Sequence, residues 1–123
     1  RGAADRYRTW AEQVSDPDTR AALLGCAERE TEIADRVEAT FPVEPDEVTR
    51  VDAAVPEARD AYFAVFEGRS LEGEWRVQAA AERQGAEAWR GLAKQHPEHA
   101  DALLHCAGLE EASARVLEGL VGD

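Results

Sequence analysis

Three glutamates stand at positions where the surrounding pattern requires apolar side chains. Apolar residues recur every three or four positions around Glu30, Glu82 and Glu110, which is the spacing of one face of an amphipathic helix. Burying a carboxylate on such a face costs several kcal/mol unless it is paired, hydrogen-bonded or metal-bound. Three converging carboxylates would also repel one another, so that some would be protonated or would share a cation. These glutamates are therefore the main candidates for chemistry in this chain.

The sequence leaves three interpretations of these glutamates open. They are structural if their charges are paired with nearby arginines, such as Arg29, Arg83 or Arg115. They line a polar cavity if the bundle holds a small ligand, and they are ligands if it holds a metal ion. Glu111 directly follows Glu110 and is a fourth candidate metal ligand.

Cysteine and histidine offer weaker candidates. Cys26 and Cys106 lie on apolar helix faces, which predicts two buried thiols in the core. His96 and His99 are three residues apart and could share a surface metal ion, but no third ligand is evident, so we expect a solvated loop.

Four long helices must position these residues. The periodicity predicts helices over 3–15, 17–40, 70–95 and 97–120, with Asp16-Pro17 and His96-Pro97 marking two of the starts. Three prolines punctuate the connection 41–69, where the pattern predicts two short helices over 46–54 and 57–67. No alternating run of β-branched residues occurs, so the fold class is predicted to be all-α.

The second and fourth of these helices belong to an internal repeat. An offset of 80 residues aligns 17–39 with 97–119, and 9 of the 23 positions are identical. Glu30 matches Glu110 and Cys26 matches Cys106. Two similar helical hairpins, 3–40 and 70–121, joined by the crossover 41–69, are therefore expected to form a four-helix bundle.

The hairpins, the crossover and the inward glutamates resemble the ferritin-like, rubrerythrin-like superfamily. That resemblance implies a carboxylate site for iron or manganese, with Glu82 on the third helix and with Glu30 and Glu110 opening Glu-x-x-His motifs. Ile33 and Ser113 stand where the histidines belong. The first-helix glutamate is also missing, because Ala3 aligns with Glu82. Glu32, Glu111 or His105 could substitute from neighbouring positions.

Length, charge and hydropathy narrow the class of protein. The chain has 123 residues and a formal net charge of −12, which supports a single domain and argues against binding nucleic acid. The apolar runs are too short to span a bilayer. No signal peptide is evident, so we expect a cytoplasmic protein. Lys94 is the single lysine, a bias typical of a GC-rich bacterial genome.

The missing histidines favour a degenerate or non-catalytic ferritin-like bundle. We expect it to bind a small molecule or a partner protein, and to form a homo-oligomer, such as a dimer through a helix face. The first alternative is an oxidase-like protein that binds iron or manganese through Glu30, Glu82 and Glu110, with Glu111 or Glu32 as a supplementary ligand. The second is a structural subunit of a larger assembly. The sequence does not decide whether the protein is an enzyme.

Overall fold

The computed structural model describes residues 2–41 and 68–122, and most of these residues are helical. The long helices are α1 (Gly2–Gln13), α2 (Pro17–Thr40), α3 (Leu71–Gln95) and α4 (Ala100–Val121). A short 3-10 turn, Pro97–His99, precedes α4. No strand occurs within these two ranges, so the all-α prediction is confirmed. The predicted helical crossover lies outside the described residues, except for its ends.

Side-chain caps set the starts of α2 and α3. Asp16 accepts a hydrogen bond from the Thr19 N–H at 2.8 Å, and Pro17 occupies the first helical position of α2. Ser70 caps α3 in the same way through the Gly73 N–H at 3.1 Å.

The helix ends differ from the predicted bounds by more than one residue at two places. α1 ends at Gln13 rather than near residue 15, and Arg20 of α2 donates to the exposed carbonyls of Ala11 and Val14 at 3.2 and 2.8 Å. The fourth helix starts three residues later than predicted, because Pro97–His99 winds as a tighter 3-10 turn.

The helices pack as two hairpins, α1 with α2 and α3 with α4, and α2 also packs against α4. Tyr7, Trp10, Leu23 and Leu117 are fully buried in the core between them. Both cysteines are buried, as the sequence predicted, and both are free thiols. Within 2–41 and 68–122, no helix is long and apolar enough to cross a membrane.

Candidate metal centre

The three glutamates meet inside the bundle. Glu30 of α2, Glu82 of α3 and Glu110 of α4 each present a carboxylate oxygen, and these oxygens all lie within 4.8 Å of one another. Glu82 is only 3% exposed, while Glu30 and Glu110 are partly buried. The structure therefore brings together three of the four predicted metal ligands.

Hydrogen bonds fix the carboxylate of Glu82 on one side. The Tyr7 hydroxyl donates to Oε1 at 3.0 Å, and the side-chain amide of Gln78 donates to the same oxygen at 2.8 Å. The other oxygen, Oε2, is buried, and no amide, indole or hydroxyl group of the described residues donates to it. A buried carboxylate oxygen needs a partner, which the carboxyl of Glu30, itself hydrogen-bonded to Glu82, can supply while it is protonated and which a cation could supply in its place.

Two residues of α3 determine where the Glu110 carboxylate lies: Trp89 donates a hydrogen bond to it, and Gly85 leaves space for it. The Trp89 Nε1–H donates to Oε1 of Glu110 at 3.1 Å. A Cβ on Gly85 of α3 would overlap the carboxylate group of Glu110. Only glycine leaves room at this point for the carboxylate to reach the cluster.

The electrostatics of the cluster favour protonated carboxyls in the absence of a cation. The pKa of Glu30 is raised to about 10, chiefly by burial, then by a hydrogen bond with Glu82 and the negative charges of Glu82 and Glu110. Burial also raises the pKa of Glu110 to about 7, although the Trp89 hydrogen bond opposes that shift. Burial and the neighbouring Glu82 raise the pKa of Tyr7, so its hydroxyl stays a hydrogen-bond donor. A cation entering the cluster would therefore displace protons.

The arginines considered as structural partners are directed elsewhere. Arg29 donates to the Ser113 hydroxyl at 2.8 Å, and Arg83 pairs with Glu118 at 2.7 Å. Arg115 lies 3.9 Å from Glu111. The contacts that the described residues show therefore direct these three arginines away from the clustered glutamates.

Glu111 is not brought into the cluster. Its carboxylate forms ion pairs with Arg90 and Arg115. Successive residues on a helix point in directions about 100° apart, so Glu110 and Glu111 cannot both face one point in the core. The structure thus assigns this fourth predicted ligand to a salt-bridge network.

Glu32 and His105, which could have replaced the missing histidine ligands, lie at the surface. Glu32 contacts His105 at 2.7 Å and Arg36 at 2.8 Å, on exposed faces of α2 and α4.

The rings of His96 and His99 both pack edge-on against Phe41, with centroid distances of 5.4 and 5.2 Å. These histidines therefore pack against an aromatic ring at the end of the bundle, away from the cluster.

Buried side chains fill the positions at which the ferritin-like resemblance implies histidines. Ile33 is 6% exposed and Ser113 is fully buried, where it accepts the hydrogen bond from Arg29. In α1, which carries no matching glutamate, Tyr7 reaches Glu82 with a hydroxyl instead of a carboxylate. The cluster thus has three carboxylates and no histidine among the described residues.

Sequence reasoning missed the residues that support the cluster, namely Tyr7, Gln78, Gly85 and Trp89. Gln78 precedes Glu82 by one helical turn, so a second polar residue on the same apolar face was a usable signal. The role of Gly85 depends on how closely α3 approaches α4, which the sequence of α3 alone does not show.

A cavity of about 250 Å³ lies between α1 and α2, and Glu30 of the cluster is one of the residues that line it. The other described residues that line it are Ala4, Asp5, Arg8, Thr31 and Ala34. No tryptophan from the described ranges lines this cavity.

Comparisons of this chain with protein families, with curated proteins and with solved structures give no match.

Proposed function

We propose that this chain is a metal-binding helical domain that holds a divalent cation between Glu30, Glu82 and Glu110. The observation that carries the proposal is the convergence of three carboxylate oxygens within 4.8 Å. The buried Glu82 Oε2, which accepts no hydrogen bond from an amide, indole or hydroxyl group of 2–41 or 68–122, also supports it. The space at Gly85 supports it as well, since the carboxylate of Glu110 takes the volume of a side chain there.

The donor set suits a hard cation. Three carboxylates without imidazole or thiolate favour ions such as Mn²⁺, while Fe²⁺ also accepts carboxylate ligands. One divalent ion neutralises two of the three negative charges, so one carboxyl would keep its proton or a second ion would bind. A bound cation would supply Lewis acidity in a site that is largely shielded from water.

We further propose that the fold is a ferritin-like bundle. Two helical hairpins with glutamates from three helices facing one point support this assignment. A degenerate small-molecule or partner-binding module, and a subunit of an oligomeric assembly, stay predictions. The carboxylate geometry favours the metal site over both.

Elemental analysis after loading tests the proposed function. The protein is purified without chelator, incubated with Mn²⁺ or Fe²⁺ under anaerobic conditions and freed of excess metal. We expect at least about one ion per chain in the unmodified protein, and a large loss in Glu82→Gln and Glu110→Gln.

Glu118→Gln is the matched control, because it removes one exposed carboxylate from the same helix as Glu110. It should keep the full metal content. A content well below one ion per chain in the unmodified protein, with no response to Glu82→Gln, would contradict the proposal.

A further inference from the structure

We infer that the cavity between α1 and α2 is the route by which the cation reaches the carboxylate cluster, with the Asp5–Arg8 ion pair at its mouth. This inference rests on the proposed metal-binding function. It adds a direction of entry, which the glutamate cluster by itself does not define.

The cavity connects the outside of the bundle with a ligand of the proposed site. Glu30 belongs both to its lining and to the carboxylate cluster. A wider groove of about 460 Å³ on the same hairpin is lined by Arg8, Ala11, Glu12, Arg20 and Leu24. That groove includes none of the three glutamates and therefore does not lead to the site.

The size of the cavity fits a hydrated ion. It measures about 250 Å³, and a water molecule takes roughly 30 Å³ of liquid volume. The six waters around an octahedral divalent cation would therefore occupy roughly 180 Å³. The total volume therefore accommodates a hydrated ion, which we infer exchanges water for a carboxylate oxygen at Glu30.

Small side chains keep the route open. Ala4 of α1 and Ala34 of α2 line it from opposite helices. Ala34 follows Glu30 by one helical turn, so both side chains face the same cavity. Thr31 adds a hydroxyl to the lining, and it donates to the Ala27 carbonyl at 3.1 Å. Its oxygen can still accept a hydrogen bond from a water molecule of the incoming ion.

The mouth carries one charge of each sign. Arg8 Nη1 lies 3.1 Å from Asp5 Oδ1, and the two side chains are 52% and 59% exposed. Asp5 attracts an approaching cation and Arg8 repels it, so the pair sets the local potential at the entrance. Association rates of charged ligands depend on such local potentials and fall with ionic strength.

Rapid mixing with Mn²⁺ tests the route, with the free-ion electron paramagnetic resonance signal as readout. Ala34→Leu fills the cavity and should slow both association and dissociation at least about tenfold, with the dissociation constant nearly unchanged. Ala21→Leu, the same change at an exposed position of α2, should leave both rates unaltered. An Ala34→Leu protein that folds and takes up Mn²⁺ at the normal rate would overturn the inference.

Charge variants test the mouth separately. At low salt, Asp5→Asn should slow association and Arg8→Gln should speed it, each by roughly threefold, and salt should remove both effects. Glu72→Gln and Arg76→Gln are the controls, since that ion pair on α3 is equally exposed and its variants change the net charge equally. Equal effects of the two pairs would mean that the rate follows net charge, which would overturn the role of the mouth.

The two proposals fail in different ways. If the unmodified protein binds no Mn²⁺ at equilibrium, the metal-binding function itself is wrong. If it binds Mn²⁺ but neither Ala34→Leu nor the charge variants at the mouth alter the rates, the proposed metal site is retained and the proposed entry route is wrong.

Discussion

At the scale of single residues, the site depends on which carboxylate oxygens are already occupied. Glu82 Oε1 accepts hydrogen bonds from Tyr7 and Gln78, and Glu110 Oε1 accepts one from Trp89. Neutral donors orient these carboxylates without cancelling their charge. Glu82 Oε2 is left for the cluster. Such an arrangement holds the ligands in place for a cation, which would replace the protons that Glu30 and Glu110 keep.

Gly85 gives a prediction at this scale. In Gly85→Ala the new Cβ takes the space of the Glu110 carboxylate, which is the flexible end of its side chain and can turn away. We expect the fold to persist, helped by roughly 1 kcal/mol of helix propensity, while the affinity for Mn²⁺ falls at least about tenfold. Thermal unfolding and calorimetric titration measure the two effects.

Gly91→Ala is the control for this prediction, because Gly91 lies on the same helix and a Cβ added there would meet no described atom within 4 Å. It should gain stability and keep its affinity for Mn²⁺. Unchanged Mn²⁺ binding in Gly85→Ala would show that Glu110 does not need its present position.

At the scale of helices, the starts of α2 and α3 determine how their glutamates are placed. Asp16 caps α2 and Ser70 caps α3. Glu30 follows Asp16 along α2, and Glu82 follows Ser70 along α3, each at a fixed distance from the start of its helix. Each helical residue advances the chain by about 1.5 Å. A fixed helix start therefore also fixes where the glutamate lies along the helix.

Asp16→Ala should therefore destabilise the protein through α2. The change removes the acceptor of the Thr19 N–H and hydroxyl, whose hydrogen bonds measure 2.8 and 2.7 Å. The expected loss in the free energy of unfolding is about 1 kcal/mol, measured by urea denaturation. Asp16→Asn keeps an acceptor at the same place and should lie close to the unmodified protein. Equal losses in both variants would assign the effect to charge and not to capping.

At the scale of the whole molecule, the charge of −12 is unevenly distributed. Exposed acids such as Glu32 and Glu118 have hydrogen-bonded cationic partners, and these contacts lower the pKa of each. The buried acids behave in the opposite way. Glu30 and Glu110 have raised pKa values, so they carry less negative charge near neutral pH than the formal count assigns.

This difference predicts how stability depends on pH. Above the ordinary value of 4.5, the folded protein keeps protons that the unfolded chain releases, up to about 7 for Glu110 and about 10 for Glu30. The free energy of unfolding of the metal-free protein should therefore fall as pH rises through that window. We expect the melting temperature to drop between pH 5.5 and 9 by at least about 4 °C.

In Glu30→Gln the melting temperature should depend less on pH above pH 7, because the glutamine has no proton to lose. Glu118→Gln is the control, since the lowered pKa of Glu118 places its titration below this window. Added Mn²⁺ should oppose the fall, because the cation replaces the protons. A melting temperature that rises with pH in the metal-free protein would contradict the prediction.

Local chemistry in the amino-acid sequence was sufficient to predict the four long helices, the breaks between the helices of each hairpin and the three inward glutamates. These features follow from apolar spacing, from the Asp16-Pro17 and His96-Pro97 breaks, and from an acid on each apolar face. Tertiary packing decides which carboxylate oxygens come together and which residues surround them. Tyr7 contacts Glu82 from 75 residues away in the chain, and Gly85 matters only because α4 brings Glu110 against it. Such contacts depend on how helices are oriented relative to one another, which a helical period does not specify.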